Sequence, residues 1–241
     1  MKKFHFSFLL GLLIMTASFA QMRIHDSIVE EKIIDSQTHY LVDGKKITGY
    51  IYELHPDKSL WFEFRVIDGL KNGLFKEFYK NGNFRLKMNF ENNALHGPLE
   101  EFYENGNRMT TRTMKNGKPD GLLEQFYEDG QLKSRRTYID AKMNGIFEKY
   151  YPSGKLSERS MYKNGKIESW LLIYHENGKL KDKAFCVKSL YEGTRYQYYE
   201  NGQLKEEAEY KNCKLHGIRK QYDENGNLTD KSNYLNDVKV E

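Results

Sequence analysis

The sequence predicts an all-β fold: an elongated, single-layer antiparallel β-meander of tandem 24-residue hairpin units behind a short N-terminal cap. Three observations predict it. Glycines recur at Gly49, Gly73, Gly97, Gly121, Gly145, Gly193 and Gly217, spaced by 24 or a multiple of it, with Ser169 in the one gap. A second series, Gly82, Gly106, Gly130, Gly154, Gly178, Gly202 and Gly226, follows the first and usually stands behind an Asn. Aromatic pairs precede this second series, as in Phe102-Tyr103 and Phe126-Tyr127. A fixed period marks a repeat architecture, and Asn-Gly between strand-forming runs marks a hairpin because glycine enters the left-handed region without steric cost.

Composition agrees with such a fold. The chain has 241 residues, 39% hydrophobic and 30% charged, with a mean hydropathy of −0.80. It is polar, yet its 18 Tyr and 14 Phe supply strand-forming material and too much apolar area for a disordered chain. Without Lys2 and Lys3 the 38 basic residues become 36 against 34 acidic ones, a formal +2. That balance does not suit a nucleic-acid binder, whose basic residues gather into a stripe.

Residues 1–20 read as a signal peptide: Lys2 and Lys3 form a basic start, and Phe4 to Phe19 is a stretch without Asp, Glu, Lys or Arg. Ser18-Phe19-Ala20 offers small residues for cleavage before Gln21, and the apolar stretch is short for a bilayer span of about 20 residues. Export to the periplasm, cell surface or medium is the expectation. Residues 21–48 follow as an N-terminal cap or partial repeat; Tyr40 to Ile47 resembles the second half of a unit, with a turn at Asp43-Gly44. Ile24, Ile28, Ile33 and Ile34 suit a short helix or a strand equally.

Residues 49–241 then hold eight units without insertion, the first being degenerate with Lys58 at the turn glycine. Each unit is expected to run strand, tight three-residue loop, strand, turn. The loop is a type I turn closed by a glycine bulge, with Gly82, Gly106, Gly130, Gly154, Gly178, Gly202 and Gly226 as its structural glycines. The closing turn reads Lys115-Asn116-Gly117-Lys118, Lys163-Asn164-Gly165-Lys166 and Lys211-Asn212-Cys213-Lys214. After the loop, Phe84, Leu132, Leu156, Leu180, Leu204 and Leu228 share a strand face with Phe90, Met114, Tyr138, Tyr162, Tyr210 and Tyr234, because their separations are even. A propeller would need odd and even units to differ, and these look alike. A parallel β-helix would not need hairpin turns.

The pattern Gly-x-x-x-x-Phe/Tyr-Tyr-x-Asn-Gly-x-Leu, followed by an aromatic and a second Asn-Gly, resembles the MORN repeat variant found in tandem in many bacterial proteins. Residues 97–120, 121–144 and 193–216 carry it best. The resemblance implies a hairpin-repeat fold and, since such proteins are commonly described as YwqK-like antitoxins, a role in binding and neutralising a toxin. An export signal departs from an antitoxin of the cytosol and points instead to an immunity protein acting outside it. The resemblance implies no catalytic residue.

The residues themselves lead to the same class. His96 and His216 share one repeat position before the unit glycine, where other units have Asp120, Asn144, Glu168 and Glu192, so a polar turn residue is the expectation. Recurrent acids such as Glu100, Glu101, Glu104 and Glu128 read as a solvated face. No catalytic residue, metal ligand set or cofactor is expected. Cys186 falls at a packed strand position and Cys213 in a turn, an arrangement that argues against a disulfide between them. Tyr79, Tyr103, Tyr127, Tyr151 and Tyr199, expected to project from the face opposite Phe78, Phe102, Phe126, Tyr150 and Tyr198, form the candidate binding face. Two function classes follow. One is an exported protein-binding module whose partner is another protein, a toxin among the candidates; the other is a cell-envelope scaffold that associates with lipid, glycan or itself.

Overall fold

The computed structural model of the chain describes residues 22–240; the signal-peptide assignment, residues 1–20, lies outside the described residues. The chain forms one long sheet of 21 strands and a small three-stranded sheet. In the long sheet, strands from Gly49–Leu54 to Val238–Lys239 pair antiparallel in chain order, so the meander expected from the repeats is the observed fold.

The unit around Gly97 shows how each repeat is built. Strand Ala94–Phe102 pairs with Arg108–Lys115, which pairs in turn with Lys118–Phe126. At the loop, the Gly106 N–H donates to Tyr103 O at 2.9 Å, the Tyr103 N–H donates to Asn107 O at 2.8 Å, and Gly106 has φ +90°. This is the type I turn with a glycine bulge, and the register slips between Arg108 and Thr110. At the opposite rim Asn116 and Gly117 have φ 50° and 76°, the two left-handed residues of a type I′ turn. Ala141, Ser189 and Cys213 take the second of these positions with φ 62°, 66° and 65°, where a Cβ crowds the following carbonyl.

One row of cross-strand partners forms the spine of the inner face. It runs Ile51, Phe64, Phe75, Met88, Leu99, Arg112, Leu123 and Arg136, and further along pairs Phe147 with Ser160, Leu171 with Ala184, and Ala208 with both Arg195 and Arg219. In the first half the row is mostly large and apolar, and its start has a second layer. There Tyr40 from the small sheet (Glu30–Ile34, Gln37–Val42 and Lys45–Lys46) meets Phe64 edge-on at 5.3 Å, over a core with Ile51 and Val66. In the second half large and small residues alternate, and Ala184, Ala208 and Ser160 are buried between long neighbours on the same sheet. Cys186, also on this face, is buried, and Cys213 is exposed; both thiols are free.

The N-terminal segment closes the first edge as well. Arg23–His25 pairs parallel with Gly49–Leu54, setting Ile24 beside Ile51, which covers the edge of that six-residue strand with one of three residues. Ile28 ends a short 3-10 turn, and Ile33 and Ile34 lie in a strand of the small sheet. The small sheet is stitched to the first hairpins by Tyr40 N–H to Gly69 O at 2.8 Å and by Asn93 Nδ2 to Thr38 O at 2.7 Å. Its aromatic side also cages the Lys71 ammonium, which lies 4.8 Å from the Phe64 ring centre and 5.2 Å from that of Tyr40. Burial pushes the Lys71 pKa down.

The strained turns supply a first test. Ala141→Gly and Ser189→Gly are each expected to raise stability by up to about 1 kcal/mol, because release of left-handed strain outweighs the added freedom of the unfolded chain; thermal unfolding followed by circular dichroism reads the change.

Candidate functional site

The five tyrosines expected to form a binding face lie elsewhere than alternation along a strand suggests. Each stands one residue past the end of its strand, at the loop rim, rather than within the strand opposite the preceding aromatic. The local cause is the turn itself: Tyr79, Tyr103, Tyr127, Tyr151 and Tyr199 each close a glycine-bulge loop through their own N–H. Their rings then reach toward the next unit. The hydroxyls donate to the main-chain carbonyls of Phe102 (2.8 Å), Phe126 (3.0 Å), Tyr150 (2.7 Å), Tyr174 (2.6 Å) and Tyr222 (2.8 Å) respectively. Where the tyrosine is replaced, histidine does the same work: His175 Nε2 lies 3.0 Å from Tyr198 O, and His55 Nε2 lies 3.2 Å from Phe78 O.

The turn asparagines extend this lacing. Asn81, Asn105, Asn177 and Asn201 donate through Nδ2 to Glu104, Glu128, Glu200 and Glu224 carbonyls at 2.8 to 3.0 Å. At the other rim, main-chain N–H groups do it: Gly117 to Leu95 O, Ala141 to Pro119 O, Gly165 to Met143 O and Ser189 to Ile167 O, at 2.8 to 2.9 Å. The Tyr-x-Asn-Gly motif thus has a structural use at every position. The tyrosine rings stay half-exposed, with Lys133 above Tyr127 and Lys205 above Tyr199, each at 5.5 Å.

Charged groups on the inner face follow the same repeat-to-repeat rule. Asp182 receives Arg195 through Nε and Nη2 and Gln197 through Nε2, and one unit later Glu206 receives Arg219 and Gln221 in the same way. Hydrogen bonding to Asp182 raises the Arg195 pKa above its ordinary value. Glu158 holds the equivalent position one unit earlier, but Leu171 stands where Arg195 and Arg219 stand. Burial pushes the Glu158 pKa up, and Lys149 opposes this only in part. On the outer face Glu148 is buried, which pushes its pKa up, but the Tyr150 hydroxyl and the guanidiniums of Arg135 and Arg159 outweigh that and hold it below the usual range. Each of these carboxylates apart from Glu158 meets a guanidinium, an arrangement that ties neighbouring strands together.

His96 lies 3.6 Å from Glu91 and His216 3.4 Å from Asn236, both near turns. No group of three or more His, Cys, Asp or Glu is gathered to hold a metal ion among the described residues. A depression of about 400 Å³ opens at the loop rim, lined by His175, Lys181, Tyr199, Lys205 and Glu224 among others.

Sequence reasoning missed the outer-face row beside the unit glycines. Trp170 and Phe185 face each other across two strands with ring centres 5.3 Å apart, and both remain exposed. The signal was available in the column that follows each unit glycine: Tyr50, Leu74, Pro98, Leu122, Ile146, Trp170, Thr194, Ile218. Alternation alone does not say which face of a sheet stays uncovered.

The sequence model of one known family, the MORN repeat variant, matches residues 71–92, 95–116, 119–140, 143–164, 191–212 and 215–236, together more than half of the chain. The segment between the fourth and fifth matches contains Ser169 and Trp170, yet Trp170–Tyr174 and Leu180–Val187 form the same hairpin there. No curated protein matches the chain. Among solved structures, a chain of "Crystal Structure of TcdB2-TccC3-Cdc42" aligns at 10% identity over 85% of this chain and 16% of that chain, with a TM-score of 0.19. This chain therefore spans about a sixth of the length of that one.

Two measurements test the ladder and the unpaired acid. Replacing Tyr103, Tyr127 and Tyr151 together by Phe is expected to lower the thermal midpoint clearly, at about 1 kcal/mol of stability per lost hydroxyl, with little change in the far-ultraviolet spectrum. Glu158 has a pKa raised on folding, so it favours the folded state below the unfolded carboxyl value and opposes it once pH rises through the folded value. Glu158→Gln is expected to raise the melting temperature at neutral pH, with the gain vanishing in acid; melts across a pH series check the direction.

Proposed function

We propose that this chain, which belongs to the MORN repeat variant family, is an exported, non-catalytic module that binds another protein. The single observation that carries the reading is how the repeated side chains are spent. Tyrosine hydroxyls, turn asparagines and the inner-face acid–arginine pairs are engaged in contacts between units, while the outer face presents large apolar groups such as Leu122, Ile146 and Trp170 to solvent. A sheet that uses much of its polar chemistry on itself and leaves a row of apolar side chains exposed on its outer face suits association with a macromolecule.

The half-exposed rings of Tyr79, Tyr103, Tyr127, Tyr151 and Tyr199 offer a second contact row along the loop rim. Contact there would run through ring faces, since the hydroxyls are already donors to the chain. Export follows from the reading of residues 1–20 as a signal peptide, and an immunity-like neutralisation of a toxin outside the cytoplasm is the specific form of binding that the family resemblance favours. A lipid- or glycan-associated envelope scaffold is the competing role.

Capture of the tagged chain from its own cells, followed by mass spectrometry, distinguishes them. A single protein partner at fixed stoichiometry is the expected outcome. Recovery of membrane material alone, or of the chain with only itself, overturns the protein-binding reading.

A further inference from the structure

We infer that the outer face of the units at 145–168 and 169–192 is a docking surface for an acidic segment of a partner protein that anchors through apolar side chains. The inference rests on the protein-binding reading and assigns it a place and a chemistry. Ile146, Met161, Trp170 and Phe185 lie in one row across the strands, 37% to 49% exposed. Ile146 pairs with Met161, and Trp170 pairs with Phe185. Ser169, in place of the unit glycine, accepts the Met161 N–H through its hydroxyl at 2.9 Å. That bond sets the Trp170 strand against the Met161 strand and joins the two pairs into a continuous patch. In other units the second strand is polar in this register, at Asn89, Thr113, Thr137, Glu209 and Asn233, so exposed Leu74, Leu122 and Ile218 each face a polar partner and no apolar pair forms.

Charge beside the patch selects the partner. The next row on the same face carries Arg135, Arg159 and Lys183, and the acids facing it are Glu124 and Glu148. Arg135 and Arg159 share Glu148. Lys183 has Leu172 and Tyr196 as its cross-strand neighbours, and its ammonium lies 4.4 Å above the Trp170 ring. No ion-pair partner lies within 4 Å of Lys183 among the described residues. An apolar patch bordered on this side by three cations, with the Lys183 ammonium free of an ion-pair partner, complements a segment that interleaves apolar side chains with Asp or Glu. A bilayer lying along the whole face would meet Glu209 and Asn233 in the same register, whereas a segment-sized contact avoids them.

The sequence holds two tryptophans, so Trp61→Phe makes Trp170 the sole reporter. The probe is a short, soluble, fluorescently labelled peptide that alternates Glu with Leu and Phe. It is expected to bind saturably by anisotropy and to shift Trp170 emission, while the same peptide with Lys in place of Glu does neither. Phe185→Ser and Lys183→Glu are each expected to weaken binding about tenfold or more, with melting curves confirming that each variant folds. The inference is overturned if the acidic peptide fails to bind, if the lysine peptide binds equally well, or if both variants bind as the parent does. It is also overturned if Trp170 responds only to anionic vesicles or only to rising concentration of the chain itself. A cellular partner still captured by the Phe185→Ser, Lys183→Glu double variant removes this surface and leaves the protein-binding reading standing; absence of any captured protein removes that reading by its own experiment.

Discussion

Hydrogen bonds between consecutive hairpins at both rims are the constraint on which the rest of this molecule depends. Over most of its length the sheet has a single layer, so a hairpin cannot be fixed by a second sheet packed across its face. Tyrosine hydroxyls and asparagine amides fasten one rim to the carbonyls of the following unit, and turn amides fasten the other rim to the preceding unit. Twist between neighbouring hairpins is thereby held at many points, and the strand ladder in between is protected from sliding. A register slip would break the contacts at both rims at once.

With the rims fastened, the inner face solves its burial problem in two ways. Near the N-terminus the small sheet lies over Ile51, Phe64 and Val66 and supplies a conventional apolar core. Farther along, Ala184 and Ala208 sit between large side chains, and Asp182 with Arg195 and Glu206 with Arg219 neutralise each other across adjacent strands. Such pairs lose hydration on burial and recover it through several hydrogen bonds per carboxylate. The change from apolar to ionic packing along one face explains how a chain so polar on average still holds a continuous sheet.

The outer face has no equivalent closure among the described residues, and large apolar side chains stay exposed there. Motif positions that recur along the repeats serve the fold; the unit in which Ser169 replaces the unit glycine is one that exposes an aromatic pair, Trp170 with Phe185. In a repeat protein the shared residues build the scaffold, and a local departure from them is not constrained by the contacts between units.

By itself the sequence determined the period, the hairpins, the glycine-bulge type of the first turn and the place of the second, because glycine and asparagine at fixed offsets are local requirements of backbone geometry. It also determined that Cys186 is packed and that Cys213 lies in a turn, since position in the repeat decides both. Only the tertiary structure decided that Tyr79, Tyr103, Tyr127, Tyr151 and Tyr199 face their neighbours' carbonyls, that the segment before Gly49 folds over one face while Arg23–His25 guards the edge, and that Trp170 and Phe185 stay uncovered. Those outcomes depend on how the sheet bulges and on which face the cap chooses, and side-chain alternation treats the two faces of a strand as equivalent until something is packed against one of them.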